Sequence, residues 1–378
     1  MRVTFLHPGH TFWPGGGVRV VHEYANYLAR HGHEVNLIFP CRIDSEPRPL
    51  RITARYSRDW WKARVSATMR RTSGKSALRW MSIDPRIKLF FVRGLDSLFI
   101  PDADAVVATF WRTAEHTVDY PDRKGEKFYL IQHYETWAGP KERVDRTWLA
   151  PLHKVVISRW LCEQGKSLGA TQIRHIGNGI DHQQFRITRS KDQQELALLT
   201  MYHRQPWKGA HDALAVLHRI HERYRDLRMS MFGVDARAQE IPGWIEYFRN
   251  PTPDGLRDLY NRHSIYLGAS WAEGWALPPA EAMACGCAFV GTDIGGFREY
   301  AIDGCTALLS PPQDRNAMFE NVCRIIEDRE LRSRLQKAGT EYIKQFTWEK
   351  SGALFEKYLH EAVERRDCKS AVVANRAV

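Results

Sequence analysis

Long hydrophobic runs are missing from this 378-residue sequence, although hydrophobic residues make up 43% of it. No stretch approaches the roughly 18 consecutive apolar residues of a membrane-spanning helix, so we expect no transmembrane segment. The amino-terminal MRVTFLHPGHTFWPGGG is too brief for a signal-peptide core and lacks a small-residue cleavage site. We therefore expect a cytoplasmic protein whose first residues form a strand.

Cysteine is scarce, with seven residues scattered from Cys41 to Cys368. An odd number without regular spacing does not resemble a disulfide framework and favours a reducing compartment. Cys285 and Cys287 are close in sequence, but no further Cys or His lies near enough in sequence to complete a zinc site. We interpret both as small buried side chains.

Acidic residues are outnumbered in one region. Residues 41–100 contain fourteen Lys or Arg against five Asp or Glu, a net charge of +9 out of the chain's +11. Aromatic residues are interleaved with these charges: Trp60, Trp61, Trp80, Phe90, Phe91 and Phe99. The pattern suits an anionic membrane surface or lipid-linked acceptor, nucleic acid, or a solvated insertion with a few core aromatics. Because the chain has no helix-turn-helix, zinc-finger or RNP-type pattern, we expect no nucleic-acid partner.

Strand and helix patterns alternate along the chain. RVTFLHP (2–8), a glycine-rich loop with a helix (14–34) and VNLIFP (35–40) form a strand–helix–strand unit. Further apolar runs predict strands at 103–110, 127–135, 196–203, 227–235 and 264–270. A strand running into a helix is predicted at 153–161, a strand, loop and helix at 245–260, and further strands within 287–300 and 307–314. The length is near twice that of a usual domain. We therefore predict an α/β protein with two doubly wound, Rossmann-like domains, residues 1–185 and 186–345, followed by a helix and tail at 346–378.

Two acids frame a turn rich in glycine and proline. In the segment WAEGWALPPAEAMACGCAFVGTDIGGFREY (271–300), Glu273 follows a buried strand and Glu281 is predicted in the first turn of the next helix. The carboxyl ends of parallel strands and helix N-termini are where doubly wound folds bind anionic ligands. A phosphorylated, hydroxyl-rich ligand fits such a site. The plain alternative for Glu281 is an ordinary charge favoured by the helix dipole.

This segment resembles the E-x7-E motif of retaining glycosyltransferases of family 4, which have the GT-B architecture of two such domains facing an interdomain cleft. The resemblance implies that Glu273 binds hydroxyls of the donor sugar and Glu281 binds the ribose hydroxyls. It also implies that backbone amides from Gly274 to Leu277 approach the sugar and diphosphate. The family more often has Phe-Gly where this chain has Trp275-Ala276, which leaves the identity of the donor open.

Other positions carry the same resemblance. Arg204 and Lys208, between a strand and a helix, resemble the Arg…Lys-Gly element that holds the donor diphosphate. His133 falls at the end of its strand, where family members carry a histidine that contacts the donor sugar. Gly16 and Gly17 resemble the glycine-rich loop that faces the donor diphosphate and the acceptor. The resemblance also implies that the last helix crosses back to the first domain.

We predict neither a metal nor a cofactor. Asp102 and Asp104 spell Asp-x-Asp, a metal motif of another glycosyltransferase fold, but here the pair precedes its strand and so lies at the wrong edge of the sheet for the ligand. The nucleoside-diphosphate sugar would be a substrate.

The function implied is a metal-independent, retaining transfer of a hexose-type sugar to a glycan or lipid-linked acceptor, in cell-surface polysaccharide or glycoconjugate synthesis. Because many family members act peripherally on lipid-linked acceptors, the resemblance implies a cytoplasmic protein that is peripheral on the inner face of the membrane. Three alternatives stay open: a GT-B sugar-nucleotide epimerase or hydrolase, a phosphorylase, and a basic nucleic-acid-binding protein.

Overall fold

The computed structural model describes residues 1–9, 14–43, 50–78, 80–189 and 194–376, with the backbone alone at 50–57 and 369–376. It divides into two compact units, one of Met1–Asn178 with Trp348–Val378 and the other of Gly179–Thr347. Residues 10–13 of the glycine-rich loop and 190–193 of the polar segment between the predicted domains lie outside the described residues.

The first unit is built on a seven-stranded parallel sheet in the order β3-β2-β1-β4-β5-β6-β7. Its strands are β1 (Arg2–Leu6), β2 (Glu34–Pro40), β3 (Lys88–Val92), β4 (Ala105–Ala108), β5 (Glu126–Ile131), β6 (His153–Val156) and β7 (Ile173–His175). Its helices are α1 (Gly16–Arg30), α2 (Leu50–Thr72), α3 (Trp111–Val118), α4 (Lys141–Leu149), α5 (Arg159–Ser167) and, from the end of the chain, α11 (Trp348–Arg376). Central strands such as β4, with the sequence AVVA, are wholly buried, as expected of a parallel sheet covered on both faces.

The last helix, α11, packs against α1 within this unit. The rings of Tyr24 and Phe355 lie 4.7 Å apart between centroids. A Cβ atom at Gly352 would lie 2.2 Å from the ring of Tyr27, so glycine is what lets the two helices approach closely. The Tyr27 hydroxyl donates a hydrogen bond to Glu356 (3.2 Å) at the same interface.

The basic segment forms part of this fold. It contains α2 and the edge strand β3, and the sequence patterns did not predict that strand. Trp60 is buried and donates its Nε1–H to the carbonyl of Phe39 (2.9 Å), which fits the alternative of an insertion with a few core aromatics. Trp61 is 51% exposed and Phe99 46% exposed. Helical phase explains why Trp60 is buried and Trp61 is exposed, because adjacent residues on a helix point about 100° apart.

The second unit has a six-stranded parallel sheet in the order β10-β9-β8-β11-β12-β13. Its strands are β8 (Glu195–Met201), β9 (Arg228–Gly233), β10 (Glu246–Arg249), β11 (His263–Gly268), β12 (Ala288–Thr292) and β13 (Ala307–Ser310). Its helices are α6 (Ala210–Arg223), α7 (Pro253–Arg262), α8 (Leu277–Ala284), α9 (Arg315–Glu327) and α10 (Arg329–Ile343). Cys285 and Cys287 are buried beside α8, as predicted.

The two sheets share one strand order over six strands, and β7 extends the first sheet, which confirms the predicted α/β class with two Rossmann-like domains. In each, the strand order reverses once, between β1 and β4 in the first unit and between β8 and β11 in the second. Doubly wound folds bind ligands outside the carboxyl ends of the strands at such a reversal. Over the described part of the chain, no helix combines the length and the apolarity needed to span a bilayer.

Candidate active site

The turn after β8 and the loop after β11 meet at the strand reversal of the second unit. The Trp271 N–H donates to the carbonyl of Trp207 (2.7 Å) and joins the two segments. Gly209 has a φ of +67°, and a Cβ there would lie 1.9 Å from the carbonyl oxygen of Ala269. Only glycine satisfies both conditions, so the Lys208-Gly209 pair places a lysine where the two loops touch.

Lys208 and Glu273 form the central ion pair of this site. The Lys208 Nζ lies 2.8 Å from Glu273 Oε1 and 2.7 Å from Oε2. The lysine side chain is 24% exposed and the glutamate 7% exposed. A buried carboxylate requires such a partner, because an unpaired charge in this position would be strongly destabilising. The ammonium group stays accessible enough to meet an added anion.

Two further contacts hold Glu273 in place, one at its carboxylate and one at its backbone. The Ser270 hydroxyl donates to Glu273 Oε1 (2.8 Å). Behind it, a Cβ at Gly296 would lie 2.5 Å from the Glu273 carbonyl oxygen and 2.8 Å from its Cβ. The second glycine of the Gly295-Gly296 pair is therefore required by close packing, a role the sequence motif did not reveal.

Glu281 is buried on α8, with 3% exposure, and accepts a hydrogen bond from the Tyr260 hydroxyl (3.3 Å). The prediction that it lies in the first helical turn is wrong. The helix begins at Leu277, and no acid lies in its first turn. The predicted helix began at Pro278, and the additional residue Leu277 at its start puts Glu281 in the second turn. Because of its burial, Glu281 is not an ordinary surface charge drawn to a helix dipole.

Both acids lie near the same buried phenols. Burial first, and then Glu273 and Glu281, raise the pKa of Tyr300 well above its ordinary value. The same two carboxylates, after burial, raise the pKa of Tyr266. The eight-residue spacing therefore brings two carboxylates to one place in the fold.

The loop between the two acids has an unusual backbone. Ala276 has a φ of +53° and a ψ of 99°, a conformation strained for a residue with a Cβ. The Trp275 side chain is buried against Tyr300, 4.7 Å between ring centroids. Because Pro278 and Pro279 have no N–H, the amides available to an anion at this helix start are those of the preceding loop and Leu277.

Arg204 lies apart from the ion pair. Its side chain is 66% exposed, and its Nε is 3.6 Å from Asp235 Oδ2. The residue before it, His203, is the one that the charges of this site affect. Burial first, and then Lys208, lower the pKa of His203, while Asp235 and Glu273 oppose that shift. His203 had no role in the sequence-based prediction, because a lone histidine after a strand carries no motif.

In the first unit, the predicted residues lie at the carboxyl ends of β1 and β5. Gly16 is the first residue of α1, and a Cβ there would meet no other atom within 4 Å. The carbonyl of Gly17 accepts a hydrogen bond from the Gln132 side-chain amide (3.0 Å). His133 follows that glutamine, with its ring edge-on to Trp160 at 5.8 Å. The structure thus brings Gly17 and the loop carrying His133 together at one sheet edge.

The Glu135 carboxyl group anchors this loop through two hydrogen bonds. Its Oε2 accepts hydrogen bonds from the Trp111 N–H (2.8 Å) and the Tyr129 hydroxyl (3.0 Å). Burial raises the pKa of Glu135 to about 8, although both hydrogen bonds act in the opposite direction. A neutral acid at this position tethers the segment after β5 to the start of α3.

The Asp-x-Asp pair is engaged in the fold. Asp102 accepts a hydrogen bond from Lys124 Nζ (2.7 Å), and Asp104 accepts one from the Arg2 N–H (2.6 Å). Over the described ranges, the one group of three close metal-ligating side chains is His33, Glu356 and His360. No predicted site residue belongs to that group, which joins α11 to the segment before β2.

Comparison with known proteins finds sequence similarity within the second unit. Residues 181–342 match the family model described as glycosyl transferases group 1. An uncharacterised glycosyltransferase of Methanocaldococcus jannaschii is 32% identical over 106 residues, which is 28% of this chain and 30% of that protein. A phosphatidyl-myo-inositol mannosyltransferase of Mycolicibacterium smegmatis is 24% identical over 217 residues, 53% of this chain and 56% of the relative. The matched stretch thus spans under two thirds of these relatives.

Solved structures match the whole fold. Anabaena HepE in complex with UDP-glucose has a TM-score of 0.70 at 13% identity, covering 96% of this chain and 100% of that one. The pneumococcal O-GlcNAc transferase GtfA, in complex with UDP and GlcNAc, has a TM-score of 0.71 at 11% identity, covering 96% and 99%. These neighbours share the fold of two Rossmann-like domains.

Proposed function

We propose that this protein is a retaining glycosyltransferase that moves a sugar from a nucleoside-diphosphate sugar to a glycan or lipid-linked acceptor. The observation that carries the proposal is the Lys208–Glu273 ion pair, near the buried Glu281 at the strand reversal of the second unit. The family match over residues 181–342 supports the same conclusion, because it includes all three residues.

Lys208 would stabilise the leaving group. Glycosyl transfer passes through a transition state with oxocarbenium character, while the departing diphosphate gains negative charge. A lysine already held by Glu273 at 2.7 Å needs little reorganisation to meet that charge. This cation, with the amides of the loop from Gly274 to Leu277, would do without a metal what a divalent ion does elsewhere.

Glu273 would orient the sugar. A carboxylate offers about four lone-pair positions, and here Lys208 takes two of them while Ser270 takes a third. The remaining position can accept a sugar hydroxyl. Because the ammonium group compensates the charge, Glu273 is suited to positioning the donor and not to nucleophilic attack. Attack and departure on the same face of the sugar, with the phosphate taking the acceptor proton, would then give retention.

The other predicted residues have supporting roles in this proposal. Glu281, held by Tyr260, would bind the ribose hydroxyls. His133 would contact the donor sugar, and Gly16 and Gly17 would leave room for the diphosphate and the acceptor. Arg204 would have to leave Asp235 to reach the diphosphate, so we assign it a smaller share than Lys208.

A lipid-linked acceptor agrees with the exposed face of α2. We propose that this face contacts an anionic membrane. Trp61, Val65 and Met69 follow one another at four-residue intervals and are 51%, 46% and 65% exposed. The exposed Arg64 lies 5.0 Å from the Trp61 ring, and Lys62 is exposed beside it. An apolar stripe flanked by cations is the pattern that settles at a negatively charged lipid surface.

The test of function is the release of nucleoside diphosphate from a panel of UDP-, GDP- and dTDP-sugars, with and without membrane extract. The wild type is compared with Glu281→Gln and with the exposed-site control Glu222→Gln. We expect release from one donor, stimulated by extract, lost in the first variant and kept in the second. Release that ignores both extract and Glu281→Gln would contradict the proposal. Donor conversion without any acceptor would favour the epimerase or hydrolase alternative.

Membrane contact is tested by flotation with vesicles of phosphatidylcholine, alone or mixed with phosphatidylglycerol. We expect binding only to the mixed vesicles and its loss in the double variant Trp61→Ser, Met69→Ser. Leu354→Ser removes an equally exposed apolar residue, 47% exposed on α11, and should bind like the wild type. Equal binding of all three proteins would refute this surface.

A further inference from the structure

The turn that carries Lys208 also contains His203, which lies two residues beyond β8 and is half-buried. The Gln205 N–H donates a hydrogen bond to His203 Nδ1 (3.1 Å). The Gln205 carbonyl in turn accepts the N–H of Lys208 (3.0 Å). The histidine ring is therefore joined to the backbone that positions the lysine.

The hydrogen bond from Gln205 selects the tautomer of the ring. Because Nδ1 accepts the hydrogen bond from Gln205, the neutral ring carries its own hydrogen on Nε2. Among the described residues, that Nε2–H makes no hydrogen bond, and its nitrogen is not among the buried polar atoms without partners. His203 thus presents a fixed donor that stays accessible.

The surroundings of the ring match an anion bound at the ion pair. Lys208, Asp235 and Glu273 act on the ring electrostatically, so it lies close to the lysine that would meet the diphosphate. These residues follow β8, β9 and β11, which are neighbours in the sheet. Arg204, by contrast, is 66% exposed and turned to Asp235.

We propose that His203 binds the donor diphosphate, donating its Nε2–H as a neutral ring to a phosphate oxygen beside Lys208. The proposal rests on the proposed function and adds a residue to it. A neutral donor strengthens phosphate binding without adding a second positive charge next to Lys208. Such a charge would disfavour the protonated form of the lysine. It also leaves the turn intact, because Nδ1 stays bound to Gln205.

Two substitutions separate the ring's donor from its role in the turn. His203→Asn keeps an acceptor near the Nδ1 position for the Gln205 N–H but removes the distal donor. His203→Gln keeps an N–H donor near the Nε2 position but loses the proximal acceptor. His211→Asn, at an exposed histidine on α6, is the matched control.

The experiment is calorimetric titration of each protein with pyrophosphate, UDP and GDP, together with donor KM and kcat. Loss of one hydrogen bond to a charged phosphate should weaken binding roughly 10- to 100-fold in His203→Asn. His203→Gln should recover most of the affinity, and His211→Asn should match the wild type. Wild-type affinity in His203→Asn would overturn the proposal, as would equal losses in the Asn and Gln variants. If the wild type binds none of the three probes, the proposed function fails as well, which separates the two failures.

Discussion

The first unit should lose stability in acid because two neutral histidines are buried in its core. His7, just after β1, and His22, on α1, lie 4.9 Å apart between ring centroids, and both are fully buried. Among the described residues, no hydrogen-bond partner reaches any of their four ring nitrogens. Burial lowers the pKa of His22 from 6.5 to about 3. Burial, and then the neighbouring His22, lower the pKa of His7 well below its ordinary value.

The sign of the effect follows from proton binding. A histidine whose pKa is lower in the folded state takes up a proton only on unfolding once the pH falls below about 6.5. The free energy of unfolding therefore keeps its full value above that pH and decreases as the pH falls from 6.5 towards the folded pKa. Each such histidine removes about 1.4 kcal/mol per pH unit from the free energy of unfolding. For His22 the total by about pH 3 is roughly 5 kcal/mol, comparable to the stability of a small domain.

The assay is urea unfolding of the full chain from about pH 8 to about pH 5, followed by circular dichroism. His22→Phe removes one titrating ring and keeps an aromatic side chain against His7 and Trp80. Its free energy of unfolding should fall less steeply with acid, by about 1.4 kcal/mol per pH unit. His211→Phe, at an exposed site, should keep the wild-type slope. A His22→Phe slope equal to that of the wild type would refute the reasoning.

Three further predictions concern the ion-pair site of the second unit and the loop that Glu135 anchors in the first unit. Lys208→Ala should lower sugar transfer about 100-fold, because the leaving diphosphate loses its cation; the variant should be less stable, because Glu273 loses its partner, but still folded by circular dichroism, and near-normal turnover would contradict the diphosphate role. Gly296→Ala should lower transfer at least about tenfold by displacing the Glu273 backbone, whereas Gly243→Ala, where a Cβ meets nothing within 4 Å, should not; equal activities would contradict the packing argument. Glu135→Gln should gain stability over the wild type as the pH rises from 4.5 to about 8, by about 1.4 kcal/mol per unit, because the folded state holds the carboxyl proton in that range; a constant difference in urea unfolding would count against it.

Much of the fold could be predicted from local patterns. Short apolar runs marked most of the strands, because strands of a parallel sheet are buried on both faces. The edge strands β3 and β7 were missed, since none of their residues is fully buried. The start of α8 was predicted one residue too late, at Pro278, because Leu277 before the paired prolines already belongs to the helix.

The candidate site was predictable only in part. The acids Glu273 and Glu281 and the Lys208-Gly209 pair stand in recognisable motifs, so their positions could be proposed without a structure. His203 and Glu135 belong to no motif, and Gly296 lies in the segment 271–300 without a role that the motif reveals. Their roles come from a fixed tautomer, a buried carboxyl and a close backbone approach, and each depends on atoms supplied by other segments.

The sequence by itself determined the alternation of strands and helices and the residue types able to bind a phosphorylated sugar, because both are properties of short segments. Tertiary structure decided which of these residues meet. Lys208 and Glu273 are 65 residues apart, and they pair because β8 and β11 become neighbours where the strand order reverses. It also decided that Trp60 is buried while Trp61 is exposed, and that His7 and His22 are held neutral. Burial and charge proximity are set by packing between distant segments, which no local pattern specifies.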